Sequence, residues 1–77
     1  NEAFAMVTML AIGELGLDKE KVNIYGGACA QGHPIGSTGS RLIVTLTHAL
    51  HATGGNRGIA ALCIGGGEAT AIAIERV

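Results

Sequence analysis

The sequence predicts an α/β fold in which helices pack on a mixed β-sheet, in the order helix, strand, helix, strand, strand. Two stretches carry apolar residues at helical spacing, and three short runs are rich in apolar and β-branched residues. Glycines stand at the ends of these stretches, so we expect one domain, residues 1–77, without an internal linker. The predicted helices cover 2–15 and 37–53, and the predicted strands cover 22–25, 57–64 and 69–76.

The first predicted helix covers residues 2–15, where good helix formers accompany apolar residues along most of its length. We expect this helix to be mostly buried and to end at Gly16, a residue that readily adopts the left-handed conformation of a helix C-terminus. A charged turn at 18–21 follows on the surface. Residues 22–25 then form a short predicted strand, which the glycine pair Gly26-Gly27 closes.

The second predicted helix follows an irregular loop over residues 28–36. Ser37 and Thr38 are residue types that cap helix N-termini, so the helix is expected to begin there and to continue to about Thr53. Its buried side carries Leu42, Ile43, Leu46, Ala49 and Leu50.

The last two predicted strands form a hairpin. Residues 57–64 are a continuous apolar run, which is typical of a central strand buried on both faces. Three glycines turn the chain, and residues 69–76 pair back antiparallel. Strand 22–25 is followed by the second helix and then by strand 57–64. This order predicts that the two strands are parallel and joined by a right-handed crossover. Ligands bind at the carboxyl ends of such strands, so His33 and Cys63 are expected at one edge of the sheet.

Composition excludes several classes of function. The net charge of −1 gives no basic surface for nucleic acid, and no apolar run is long enough to span a membrane. The chain has 48% hydrophobic residues but only one Phe and one Tyr, and it begins without methionine. We therefore expect a piece of a larger polypeptide. Cys29 and Cys63 are expected to be free thiols in a reducing compartment.

Two residues are candidates for chemistry. His33 lies between Gly32 and Pro34, a rigid setting that suits presentation of an imidazole, although a loop histidine held by backbone groups is the alternative. Cys63 ends an apolar run beside glycine N–H groups that favour a thiolate; the alternative is an inert buried thiol, our interpretation of Cys29. His48 and His51 are expected to be surface residues of the second helix.

A metal or nucleotide site is not expected from these residues. Cys29, His33 and Cys63 lack the spacing of zinc ligands, and the glycine run is not part of a phosphate-binding motif. A thiol that acts as a base, an imidazole and open backbone amides instead suit carbanion and acyl-transfer chemistry.

Three motifs together resemble the C-terminal signatures of the thiolase family: NEAFA at 1–5, GGACAQGHPIGSTGSR at 26–41 and LCIGGG at 62–67. The branch they resemble most is that of the acetyl-CoA C-acetyltransferases. The resemblance implies the last part of a thiolase fold and Claisen condensation of two acetyl-CoA to acetoacetyl-CoA, with the reverse thiolysis. It implies coenzyme A thioesters as substrates, no further cofactor or metal, and a homodimer or homotetramer. We expect a cytoplasmic protein, with mitochondrial or peroxisomal location left open.

The resemblance also implies a role for individual residues. Asn1, through a water, and His33 form an oxyanion hole for a thioester carbonyl, and His33 helps to activate the acyl-carrying cysteine. Cys63 is the acid/base, the N–H of Gly65 completes a second oxyanion hole, and Phe4 packs against the pantetheine arm of coenzyme A.

The sequence departs from the family pattern at three positions. Cys29 and Gln31 stand where aliphatic residues are common, and Glu68 stands where many relatives have Met or Gly. Neither cysteine matches the acyl-accepting nucleophile, which the family carries in its N-terminal half. Two alternatives therefore stay open: a degradative 3-ketoacyl-CoA thiolase, or a non-catalytic module if the natural chain has only these 77 residues.

Overall fold

A computed structural model describes all residues, 1–77, and the chain forms two compact units, Asn1–His33 and Pro34–Val77. The elements are helix α1 (Ala5–Leu15), a 3-10 turn (Lys19–Lys21), helices α2 (Gly27–Gln31) and α3 (Thr38–Thr53), and strands β1 (Arg57–Ile64) and β2 (Glu68–Glu75). The predicted α/β class is confirmed. The order of the elements differs from the prediction in the first unit.

Helix α1 forms where the apolar pattern predicted it, and it ends at Gly16, whose φ of +62° and N–H bond to the Ile12 carbonyl close the last turn. None of its residues is buried in this chain, and Met9 is 70% exposed. The expectation of a mostly buried helix is wrong for the chain by itself, because the first unit contains no sheet on which α1 can pack.

The predicted strand at 22–25 does not form. Asn23 adopts a φ of +47°, which breaks an extended backbone, and the Gly26 N–H donates to the Asn23 carbonyl at 2.8 Å to close a turn. Asparagine tolerates this left-handed conformation better than other residues with a Cβ. The loop predicted to follow contains helix α2, which ends where the Gly32 N–H donates to the Ala28 carbonyl at 2.8 Å.

The second unit is helix α3 packed on a β-hairpin. Strands β1 and β2 pair antiparallel, in a register that runs from Arg57 opposite Glu75 to Ile64 opposite Glu68, so the predicted hairpin is confirmed. Leu42 and Leu50 of α3 are buried. The helix lies so close to the sheet that a Cβ on Gly58 would be 2.5 Å from the Leu46 side chain.

The sheet has only these two strands, so the predicted parallel pair and its crossover are wrong. Residues 22–25 were predicted to be the parallel partner of strand 57–64, but they form a turn and not an extended strand. Strand β1 is not buried on both faces in this chain, because α3 covers one face only: Ile59, on the other face, is 73% exposed. None of the helices has the length and hydropathy needed to cross a membrane.

Candidate active site

Cys63 lies at the end of strand β1, paired with Ala69, and its thiol is free and exposed. The alternative of an inert buried thiol is therefore wrong for Cys63 in this chain. The three residues after Ile64 turn the chain into β2; Gly66 and Gly67 have φ values of +86° and +82°, which explains why glycine is needed there. The glycine run allows the strand to reverse direction immediately beyond the thiol.

The surroundings of Cys63 follow from the pleat of the hairpin. Gly58 contacts Leu46 of α3, and successive side chains of a strand point to opposite faces, so Cys63 lies on the face away from α3. Its cross-strand neighbour Ala69 is small. A Cβ on Gly65 would meet nothing within 4 Å. An extended substrate can therefore approach the thiol and the glycine backbone from the open side.

His33 is exposed and stands between two backbone constraints. Gly32 before it has a φ of +94°, a conformation that L side chains rarely adopt. The carbonyl of Pro34 after it accepts hydrogen bonds from the Ser37 N–H at 2.7 Å and from the Thr38 hydroxyl at 3.0 Å. Thr38 is fully buried, so the turn from Pro34 to Ser37 is tied to the start of α3.

The capping role expected of Ser37 and Thr38 takes a different form. Ser37 is the N-cap residue of α3, but its side chain accepts no bond from the helix. Its hydroxyl donates to the Pro34 carbonyl at 3.3 Å, as the Thr38 hydroxyl does. Both hydroxyls thus stabilise the turn before the helix instead of the first N–H groups of α3.

Glu2 is a polar centre of the first unit that the sequence analysis missed. Its Oε1 accepts a hydrogen bond from Asn23 Nδ2 at 3.2 Å, and its Oε2 accepts one from the Cys29 N–H at 2.7 Å. The Cys29 thiol and N–H and the Asn23 amide lower the pKa of Glu2. The hydrogen bond between the Cys29 thiol and the Glu2 carboxylate raises the pKa of Cys29.

Cys29 is a free, exposed thiol, so its interpretation as a buried cysteine is wrong for this chain. Helix α2 has only five residues, and Cys29 is its third, so the thiol lies at the surface beside the Glu2 carboxylate. Neither Cys29 nor Cys63 takes part in a disulfide in this structure.

The other candidate residues are placed as follows. Asn1 is half-buried, and its Oδ1 atom is shielded from solvent. Phe4, the N-cap residue of α1, is 73% exposed. Gln31 donates from Nε2 to the Tyr25 carbonyl at 2.7 Å, and Glu68 is exposed at the start of β2.

The histidines of α3, His48 and His51, are exposed, as expected. Asn1 and His33 belong to the first unit, and Cys63 and Gly65 belong to the second. No three His, Cys, Asp or Glu side chains lie close enough together to hold a metal ion.

Comparison with known proteins identifies the family. Residues 1–76 match the family described as "Thiolase, C-terminal domain". The chain belongs to this family, and the resemblance stated from the three motifs is confirmed.

Relatives with different names match the chain at similar identity. The cytosolic acetyl-CoA acetyltransferase of Mus musculus is 58% identical over 99% of this chain and 19% of its own length. The acetyl-CoA acetyltransferase of Escherichia coli is 56% identical over 100% of this chain and 20% of its own length. The beta-ketoadipyl-CoA thiolase of Pseudomonas aeruginosa is 52% identical, with the same coverage. The chain therefore spans about a fifth of the length of these relatives.

Proposed function

We propose that this chain is the C-terminal catalytic part of a thiolase that transfers acyl groups between coenzyme A thioesters. The reaction condenses two acetyl-CoA to acetoacetyl-CoA and free coenzyme A, and it runs in reverse as thiolysis. The observation that carries the proposal is the family match over residues 1–76, together with acetyl-CoA acetyltransferases that are 58% and 56% identical over the chain.

Cys63 is the acid/base of this reaction. Its thiolate takes a proton from the α-carbon of the second acetyl-CoA, and the resulting carbanion attacks the carbonyl of the acyl-enzyme. A carbon–carbon bond forms, and the bond to the acyl-carrying sulfur breaks. In thiolysis the Cys63 thiol returns the proton to the leaving carbanion. The exposure of the thiol and the small Ala69 opposite it support this role, because the α-carbon must come within contact distance.

Hydrogen-bond donors stabilise the negative oxygens that develop in both steps. Asn1, through a water, and His33 hold the enolate oxygen of the substrate thioester, and His33 also assists the acyl-accepting cysteine. The N–H of Gly65 holds the oxygen of the acyl-enzyme. The open space at Gly65 supports this role, since a thioester can approach its backbone closely. One donor of this kind contributes about 2.7–4 kcal/mol in the transition state.

The remaining parts of the site come from coenzyme A and from the rest of the polypeptide. The exposed ring of Phe4 packs against the pantetheine arm. The acyl-accepting cysteine belongs to the remainder of a thiolase chain, and the two half-reactions follow one another through it. The protein works as a homodimer or homotetramer in a reducing compartment, the cytoplasm in our proposal, and needs no metal or further cofactor.

A second candidate is a thiolase that acts on longer or substituted 3-oxoacyl-CoA. The 52% identity to a beta-ketoadipyl-CoA thiolase supports it, because the relatives named for acetyl-CoA are only slightly more similar over the same residues. The groups that act on the thioester are common to both reactions, so the two candidates differ only in the acyl group.

The test is a thiolysis assay on the natural protein, with the mass of the intact polypeptide measured on the same sample. Acetoacetyl-CoA and a longer 3-oxoacyl-CoA are compared as substrates. We expect Cys63→Ala and His33→Ala to lower kcat by at least about 100-fold, with His48→Ala and His51→Ala as controls near wild type. Preference for the longer substrate would favour the second candidate. Absence of activity and of coenzyme A binding would refute both and leave a non-catalytic module.

A further inference from the structure

We propose that Glu2 is a positioning residue, whose carboxylate ties the segment that carries Asn1 to the segment that carries His33. The inference rests on the proposed function, because it assigns a task to Glu2 in the same reaction. All its contacts lie within the first unit, Asn1–His33.

The carboxylate joins residues that are far apart in the sequence. Glu2 bonds Asn23 Nδ2 across 21 positions and the Cys29 N–H across 27 positions, at 3.2 and 2.7 Å. The Cys29 N–H is in the first turn of α2, where N–H groups have no partner within the helix. Glu2 supplies that partner, so it fixes α2 to the first residues of the chain.

Gly27 is shaped to admit the carboxylate. A Cβ at Gly27 would be 2.6 Å from Glu2 Oε1 and 2.8 Å from Asn23 Nδ2, closer than real Cβ atoms come. Gly27 is also buried and has a φ of +68°. Because Gly27 has no side chain, the hydrogen-bonded side chains of Glu2 and Asn23 can occupy the space where its Cβ would be.

The two ends of this connection are next to the proposed donors. Asn1 precedes Glu2 directly, and α2 continues to Gln31, two residues before His33. Fixing the start of the chain against α2 therefore limits how far the amide and the imidazole can move relative to each other. Two donors that share one oxyanion need this constraint, since a shift of about 1 Å can lower the rate by roughly 100-fold.

The contacts of Glu2 favour positioning over direct catalysis. Each of its two oxygens accepts a hydrogen bond from a neighbouring segment, and these bonds lower the pKa of the carboxyl group. The ionised carboxylate therefore offers both of its oxygens as acceptors to these two donors at neutral pH. Both oxygens are engaged by donors of the protein itself, as expected of a positioning residue.

The test uses the natural full-length protein and the variants Glu2→Gln, Glu2→Ala and the control Glu14→Gln. Glu14 is an exposed glutamate of α1 in the same unit. Glu2→Gln keeps the shape of the side chain but places an NH₂ group against one of the two donors. We expect kcat for thiolysis to fall by about 10- to 100-fold in both Glu2 variants, with KM little changed and Glu14→Gln equal to wild type.

A second comparison separates positioning from a loss of folded protein. The effect of Glu2→Ala on kcat is measured again in a His33→Ala, Asn1→Ala background. If Glu2 acts through these two residues, its removal there changes kcat by no more than about twofold. A purely structural role lowers the active fraction by the same factor in both backgrounds.

The outcomes are distinct. An inactive wild-type protein refutes the proposed function, and the inference falls with it. An active wild type whose Glu2→Gln variant matches Glu14→Gln overturns the inference alone. Equal losses from Glu2→Ala in the two backgrounds also overturn it.

Discussion

The space beside Gly27 gives the sharpest prediction, for the variant Gly27→Ala. The new methyl group would lie 2.6 Å from Glu2 Oε1, 2.8 Å from Asn23 Nδ2 and 2.9 Å from Glu2 Cδ, so Glu2 or the backbone must move. In addition, alanine would have to adopt a φ of +68°. Both effects destabilise the unit, and they can be measured separately.

The magnitude follows from these two contributions. An L-residue in the left-handed region costs about 1–2 kcal/mol, and an extra methyl group in a filled space costs about 1–3 kcal/mol. Gly27→Ala should therefore destabilise residues 23–31 by about 2–5 kcal/mol. Gly16→Ala is the matched control: its φ is +62°, and a Cβ there meets nothing within 4 Å. It should cost only the backbone contribution, about 1–2 kcal/mol.

The assay is hydrogen–deuterium exchange in the natural protein, read on the peptide of residues 23–31 for Gly27→Ala and on the peptide of residues 5–17 for Gly16→Ala. Each factor of ten in exchange rate corresponds to about 1.4 kcal/mol of local opening free energy. In a Glu2→Ala background the two contacts with Glu2 are gone and the one with Asn23 Nδ2 remains, so Gly27→Ala should then cost less than it does in the wild type. The reasoning is refuted if Gly27→Ala costs as little as Gly16→Ala in the wild type, or if removal of Glu2 brings no relief.

Two further predictions concern the turn after His33 and the thiol beside Glu2. Thr38→Val removes the hydroxyl that donates to the Pro34 carbonyl at 3.0 Å, and the free energy of unfolding in urea should fall by about 1 kcal/mol; an unchanged value contradicts the importance of this bond. Because Glu2 raises the pKa of Cys29 above its ordinary value of 9.0, alkylation of Cys29 should have its midpoint above that pH. Glu2→Gln should move the midpoint down, and identical midpoints would contradict the contact.

Helices α1 and α3 and the hairpin were predictable because their signals are local. Helical spacing of Leu42, Leu46 and Leu50 marks one side of α3, and the glycines after Ile64 mark the hairpin turn. The predicted ends of α3 and the hairpin strands lie within a residue of the observed ones. The local pattern did not predict the burial of α1 and β1 correctly, because burial depends on which other elements pack against each face of a helix or strand.

Residues 22–25 show where a local pattern fails. Two β-branched residues and a tyrosine favour a strand, but a strand also needs a partner, and none lies beside these residues. The conformation of Asn23 decides the outcome. The pair of glycines that follows was interpreted as the end of a strand, whereas Gly26 and Gly27 begin a helix.

The candidate site was predictable only where a motif carries it. Cys63 and His33 were singled out because glycine and proline beside a reactive residue are unusual in sequence, whereas the role of Gly65 came from the resemblance to the thiolase family. Glu2 stands in the same quoted motif as Asn1, yet its task depends on a bond across 27 positions that no local pattern reveals. The one available signal was Gly27, since a glycine beside another glycine often marks a close approach by a different part of the chain.

Comparison with the named relatives bears on whether residues 1–77 determine the preference for one acyl group over another. A relative named for acetyl-CoA and one named for beta-ketoadipyl-CoA are 58% and 52% identical to this chain, so the segment accommodates both kinds of acyl group among its relatives. In our proposal, a thiol at a strand end and donors held by turns act on the thioester group that both substrates share. We therefore expect exchange of residues 1–77 between two such enzymes to preserve kcat and leave acyl preference with the rest of the protein. A preference that moves with the segment would instead place the acyl pocket beside Cys63.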